Sequence, residues 1–317
     1  MYFGYGAPTR PPLGTAANTR KIAAKAEEVG LSYVSIADHI FPPFAEKDSY
    51  PYTADGSTPW DDSGNVLECL TLASYIAGVT RKLRLVTGVM VVPLRNPLVT
   101  AKVLASIDVL SEGRLVVGCG AGWERKEFEV LGAPPFARRG TAVDEYLEVF
   151  RELWTSDTPA YEGEFVRVNG FPFQPKPLQK PHPPLWIGGE SPAAIRRVAR
   201  LGDGWYPIIN NRNHPLDTPE RYAAAVNALR IACDRAGRGF DRLELGLVVF
   251  NYSPGGTRHG CAFTGTYDDI ADDFKRYRDT GLDHAMIRLA RHATLEQTLA
   301  SMETFADKVM ARGNLAD

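Results

Sequence analysis

A (β/α)8 barrel with insertions is the fold this sequence predicts, and three observations predict it. The stretch from Leu83 to Trp123, LRLVTGVMVVPLRNPLVTAKVLASIDVLSEGRLVVGCGAGW, reads as strand, helix, strand with polar or glycine-rich residues at both strand exits. Eight short apolar or β-branched runs recur along the chain, each followed by helical periodicity. The length of 317 residues suits the usual ~250 of that architecture plus two long connections. One domain spanning residues 1–317 is the economical reading.

Taken in order, the first strand is read at 2–7 and its helix from Asn18 to Val29. The second strand, 32–38, is followed by a helix from Val66 to Val79. The third, 83–92, is β-branched and reads as buried on both faces, and Asn96-Pro97 opens the next helix, to Leu110, with a capping side chain and a first-turn proline. After the turn Ser111-Glu112-Gly113-Arg114 comes the fourth strand, 115–121, and a helix from Arg139 to Trp154. The fifth, 184–188, exits through two glycines to a helix from Pro192 to Leu201. Strands at 204–209, 243–250 and 284–290 alternate with helices Pro219 to Ala236, Tyr267 to Thr280 and Leu295 to Met310.

The two long connections are residues 40–65 and 155–183. The first is rich in proline, aromatic and acidic residues and follows the second strand, on the side where a barrel builds its active site, so it reads as a lid or as a plain surface loop. The second holds a hairpin, YEGEFVRVNGF, then a proline-rich tail.

A net charge of -2 and the lack of any Lys/Arg run exclude a nucleic-acid partner. The N-terminus MYFGYGAP lacks a basic region before an apolar core and no run is long enough to cross a bilayer, so no membrane association and a cytoplasmic location are expected. Cys69, Cys119, Cys233 and Cys261 lie far apart without a CxxC pair, which suggests buried or inert thiols and no metal.

Candidate chemistry gathers at strand exits. The second strand ends in Asp38-His39, an acid and an imidazole able to move a proton, though the same pair serves to cap a loop. In the third, Thr87-Gly88-Val89 places a glycine where β-branched residues are wanted, marking a bulge, a close approach by a ligand, or relief of crowding. Gly118, Gly120 and Gly122 are spaced GxGxGW, which is no dinucleotide fingerprint; close backbone approach is the weaker reading, with Trp123 available for stacking or packing. Gly188, Gly189, Glu190 and Ser191 precede Pro192 at a helix start, where free amides hold a phosphate or make an ordinary connection; Glu190 suits an anion only if its side chain turns away. No GxSxG, HExxH or Walker sequence is present.

In their order and spacing, ADH, YPYTADGSTPW, TGVMVVPLRNP, LSEGRLVVGCGAGW, EYLEVFRELW and PHPPLWIGGESPAAIRRVARLGDGWYP resemble the luciferase-like monooxygenase superfamily over nearly the whole chain. The wording of RNP, LSEGRL, GAGW and WIGG is most similar to the branch that uses the deazaflavin coenzyme F420. The resemblance implies a homodimer, a flat ring seated at the strand ends on a non-proline cis bond at Gly88-Val89, His39 near its reactive edge, Asp38 orienting His39 or binding the ring, and the cofactor phosphate on Gly188 to Ser191. It implies hydride transfer to or from a small organic substrate held under the 40–65 loop. FMN with oxygen is the alternative cofactor chemistry, with Arg196 and Arg197 the candidates for a deazaflavin's anionic tail. A non-catalytic cofactor-binding barrel is the alternative of another class. Some deazaflavin members carry a glutamate just after the fourth-strand glycines, whereas here Trp123 follows Gly122 and Glu124 comes next.

Overall fold

The computed structural model describes residues 1–41, 50–58, 63–255, 257–258, 260–289, 294–313 and 315. Eight parallel strands close on one another: β1 (Tyr2–Gly6), β2 (Tyr33–Ile36), β3 (Arg84–Thr87, resumed at Met90–Val91), β4 (Leu115–Gly120), β5 (Leu185–Ile187), β6 (Gly204–Trp205), β7 (Glu244–Val249) and β8 (His284–Ile287). Pairing follows chain order, and Phe3 opposite Ala285 joins β1 to β8 to complete the ring. Around it run α1 (Ala16–Glu28), α2 (Cys69–Val79), α3 (Pro97–Leu110), α4 (Arg139–Thr155), α5 (Pro192–Leu201), α6 (Pro219–Ala236), α7 (Tyr267–Arg278) and α8 (Leu295–Phe305). This is the (β/α)8 barrel read from the sequence.

Side-chain caps explain where the helices start. Asn96, Ser191 and Thr218 each accept an amide of the first turn, and each is followed by proline, so α3, α5 and α6 have the bounds read from the sequence. Thr15 caps α1 and Glu68 caps α2, moving those starts from Asn18 to Ala16 and from Val66 to Cys69. The third strand is shorter than 83–92: it breaks after Thr87 and passes into a 3-10 turn at Val92–Leu94. The β6 ladder covers only Gly204–Trp205 of 204–209, because Pro207 has no amide to donate, and a single bridge from Ile208 to Val248 follows. The last helix is α-helical to Phe305 and widens to a π-turn at Ala306–Ala311. The 155–183 hairpin pairs Ala160–Glu162 with Arg167–Asn169, its turn held by Glu145, which accepts the amides of Glu164, Phe165 and Val166. Cys69, Cys119 and Cys233 are buried and Cys261 is exposed.

Large side chains fill the lumen by facing glycines. Tyr33, Val86, Val116, Trp186, Tyr206, Val248 and Met286 form its buried cluster, one from each of β2 to β5, β7 and β8 and Tyr206 from just after β6. A Cβ at Gly4 would lie 2.4 Å from the Tyr33 ring, at Gly204 2.4 Å from Trp186, and at Gly246 2.6 Å from Tyr206. Each bulky ring therefore requires a bare backbone on the next strand. The amino-terminal end is plugged by Glu244, which accepts two hydrogen bonds from Arg84 at 3.1 Å and one from the Trp186 indole at 2.7 Å, with His284 Nε2 3.5 Å away. Burial pushes the Glu244 carboxyl up, but His284 and Arg84 outweigh it and hold the group down at about 2.

Two outcomes follow from this packing. Gly204→Ala should cost about 1–3 kcal/mol in urea unfolding, since its methyl meets Trp186 and the Glu244 carbonyl at 2.4 and 2.8 Å. Gly78→Ala, on the exposed face of α2 with open space around it, should be neutral or stabilising by up to ~1 kcal/mol. Because the Glu244 carboxyl is depressed in the folded state, its contribution is full above pH 4.5 and fades as pH falls towards 2. The stability gap between wild type and Glu244→Gln should narrow over that window; a gap independent of pH would contradict the pairing.

Candidate active site

The peptide between Gly88 and Val89 is cis. Both residues are half-buried at the carboxyl end of the barrel, between the two halves of β3. The glycines of β4 explain how the bulge fits. A Cβ at Gly120 would come within 2.6 Å of Val89 Cγ2, one at Gly118 within 1.9 Å of the Thr87 carbonyl, and one at Gly188 within 3.0 Å of Val89 Cγ1. Gly118 and Gly120 share one face of their strand because strand side chains alternate. Together with Gly188 they form a cup for the Val89 side chain. Below Gly88 lies the Ser35 hydroxyl, 1.8 Å from where a Cβ would stand, so substitution there is closed as well.

His39 stands just beyond the end of β2, its side chain 12% exposed. Its Nδ1 is 3.1 Å from Glu127 Oε2, while Glu127 Oε1 accepts the amides of Ile40 at 2.6 Å and Phe41 at 3.2 Å. Glu127 belongs to a short helix, Arg125–Val130, that sequence reading left out because six residues hold too little periodicity to register. Burial raises the Glu127 carboxyl, but His39 and the two amides outweigh it and leave the group below its ordinary value.

Asp38 is turned to a different task. Its side chain has no exposed surface, and it receives both Arg95 guanidinium nitrogens, at 2.6 and 2.7 Å, and the Val91 amide at 2.8 Å. Arg95 also reaches Glu68 at 2.8 Å. A buried carboxylate so occupied ties the β2 exit to the resumed β3 strand. Thr87 and Gly120 are buried too: the Thr87 hydroxyl donates to the Gly118 carbonyl at 2.9 Å, so these residues support the bulge from underneath.

Aromatic rings line the mouth. Trp123 lies edge-on to His39, with centroids 5.8 Å apart, and to Tyr50 at 5.2 Å; Tyr50 meets Tyr52 at 5.5 Å, and Tyr52 meets Phe250 at 6.5 Å. The 50–52 segment is fastened across the barrel, Asn210 Nδ2 donating to the Tyr52 carbonyl and the Arg212 amide to that of Pro51. Residues 42–49 and 59–62 of the expected lid lie outside the described residues. A cavity of about 560 Å³ opens beside this strap, lined among others by Tyr52, Asn210, Phe250 and Tyr252.

At the fifth strand, Gly188 and Gly189 are half-buried, Gly189 with φ of +101°, and Ser191 caps α5 by accepting the Ala194 amide. Glu190 turns inward, accepting the Ile208 amide at 2.6 Å and the Asn211 side-chain amide at 2.7 Å. Its charge therefore points away from the helix start, the condition an anion there requires. Burial pushes its carboxyl up to about 7 against those two hydrogen bonds. Arg197 is buried and paired with Asp144 and the Gly140 carbonyl, which removes it as a cation for a cofactor tail; Arg196 is exposed. Among the described residues no group of three or more His, Cys, Asp or Glu could hold a metal, and no helix is long and apolar enough to cross a membrane.

The sequence profile of the luciferase-like monooxygenases matches residues 1–254. The chain belongs to that family. An uncharacterized Mycobacterium tuberculosis protein is 30% identical over 298 residues, covering 92% of this chain and 94% of its own length. The FMNH2-dependent dimethylsulfone monooxygenase of Pseudomonas putida is 34% identical over 144 residues, 45% of this chain and 39% of that protein. In structure, this luciferase-like chain is similar to the coenzyme F420 dependent tetrahydromethanopterin reductase of Methanopyrus kandleri, with a TM-score of 0.75 and 17% identity over 98% of this chain and 99% of that one. Members of the family are oxidoreductases and monooxygenases, with F420-dependent and FMNH2-dependent proteins among those similar to this chain.

The buried Glu190 carboxyl makes a pH prediction. Its folded-state value lies above the ordinary 4.5, so the unfolded chain loses the proton first and ionisation costs folded stability as pH rises from 4.5 to about 7. Glu190→Gln keeps an acceptor oxygen without the charge. Its stability relative to wild type should rise across that window by on the order of 1–3 kcal/mol and level off above it. A relative stability unchanged between pH 4 and pH 8 in denaturant unfolding would contradict the assignment.

Proposed function

We propose that this luciferase-like chain transfers a hydride between the deazaflavin coenzyme F420 and a small organic substrate held beneath the 40–65 segment. The half-exposed Gly88-Val89 bulge carries this reading: it interrupts β3 next to the exit of β2, where His39 stands, and would seat a planar ring within reach of a proton-handling group. The missing side chains at Gly118, Gly120 and Gly188 leave room for Val89 beneath the proposed ring. The cofactor, when bound, supplies the hydride chemistry.

The chain's own residues supply position, a proton and shelter. Gly88 and Val89 seat the ring, and the amides of Gly189 to Ser191 at the start of α5 hold the phosphate, with Glu190 turned away from it. His39 gives or takes a proton at the ring nitrogen not held by Glu127. Trp123 and the Tyr50–Tyr52 strap narrow the mouth and limit water. A homodimer belongs to the same reading, supported by the exposed Val99 and Leu110 on α3.

Two observations favour a second reading in which FMN and oxygen replace the deazaflavin. The FMNH2-dependent relative is 34% identical where it matches, and Arg197 is spent on Asp144 and so does not serve an anionic tail.

Titrating the purified protein separately with F420 and with FMN distinguishes the two. The proposal expects saturable F420 binding; tight FMN binding with none of F420 would replace it by the FMN reading. With a turned-over substrate in hand, His39→Ala should lower kcat by ~100-fold or more while cofactor affinity stays within a few-fold. Unchanged turnover would move the proton chemistry to another residue.

A further inference from the structure

We propose that Glu127 is the positioning residue of this site: its carboxylate fixes the His39 imidazole with the proton on Nδ1, which makes Nε2 the nitrogen that exchanges a proton at the barrel mouth. The inference rests on the reading of His39 as the proton-handling group, and it names the residue and the atom through which that group works.

Geometry carries it. An ionised carboxylate can only accept hydrogen bonds. Glu127 Oε2 lies 3.1 Å from His39 Nδ1, so in that contact Nδ1 is the donor and, in the neutral ring, Nε2 is left with the lone pair. The carboxylate has little freedom to do otherwise. Its side chain is 3% exposed, and its other oxygen is held by the Ile40 and Phe41 amides at 2.6 and 3.2 Å. Those three hydrogen bonds keep the group ionised despite its burial. The neighbouring acid is not a competitor, since both oxygens of Asp38 are engaged by Arg95 and the Val91 amide. One carboxylate thus sets the tautomer of His39 and fastens the first two residues after it, where the 40–65 segment begins. In either direction of proton transfer a single proton crosses at Nε2 and Glu127 stays ionised.

The two duties separate by substitution. Glu127→Gln retains an acceptor oxygen for the Ile40 and Phe41 amides but loses the anionic acceptor that Nδ1–H requires, and its amide can instead donate to Nδ1. Glu127→Ala removes both. The test is nitrogen NMR of the full chain labelled at histidine, recorded where the rings are neutral, with the His39 signals identified by their loss in His39→Asn. Wild type should show His39 as the Nδ1–H tautomer. Glu127→Gln should lose that tautomer in favour of Nε2–H or a mixture, with hydrogen exchange at the Ile40 and Phe41 amides close to wild type, whereas Glu127→Ala should speed exchange there tenfold or more.

A wild-type His39 in the Nε2–H form overturns the proposal without any variant having to fold, and so does a Glu127→Gln protein that keeps the Nδ1–H tautomer. Both readouts are independent of bound cofactor. A failed F420 titration therefore strikes the functional reading alone, and a wrong tautomer strikes Glu127 alone.

Discussion

The room made for Val89 is the constraint on which the mouth of this barrel depends. A strand that breaks at Gly88-Val89 must put the valine side chain somewhere, and the space comes from removing side chains on the adjacent strands at Gly118, Gly120 and Gly188. With any of the three occupied, Val89 or the third-strand backbone would have to shift, and the half-exposed surface beside His39 would change shape. The lumen below obeys the same rule on a larger scale. Tyr33, Trp186 and Tyr206 each fill space that a neighbouring glycine vacates, so the lumen below the bulge is packed with side chains and the open end of the barrel lies above it.

Two carboxylates then fix the second-strand exit against that surface. Asp38 joins it to the resumed half of β3 and, through Arg95 and Glu68, to the start of α2. Glu127 joins it to the short helix after β4. His39 sits between these anchors and meets Trp123, itself in contact with the Tyr50–Tyr52 strap. Burial makes each anchor strong in effect: a partnered, desolvated carboxylate loses much if one partner is removed. The proposed cofactor site is consequently anchored on the β2–β4 side, and a cavity with a mainly apolar lining opens on the side of β6 and β7.

Much of this was legible in the chain, for reasons that are local. The caps of α3, α5 and α6 lie within three residues of the amides they hold, so Asn96-Pro97, Ser191-Pro192 and Thr218-Pro219 announce their helices. Gly88 stands out as a glycine in a β-branched run. What escaped is non-local. The glycine run of β4 announces a close approach, but not that what approaches is Val89, some thirty residues earlier on the adjoining strand. Asp38 and Thr87 stand at strand ends, and the partners of their polar atoms, Arg95, Val91 and Gly118, are distant in sequence. Glu127, the acid that holds His39, is 88 residues away from it on a helix of six. Only an H-at-one-exit, E-after-the-next pairing across two strands would have found it, and nothing in a single sequence marks such a pair.

A crystal structure of the protein soaked with F420, and in a second crystal with FMN, tests the central claim most directly. The account predicts a ring lying on Gly88-Val89 with its edge at His39 Nε2 and its phosphate on the amides of Gly189 to Ser191. A ring bound in the cavity between Tyr52 and Phe250, with the bulge left bare, would contradict it.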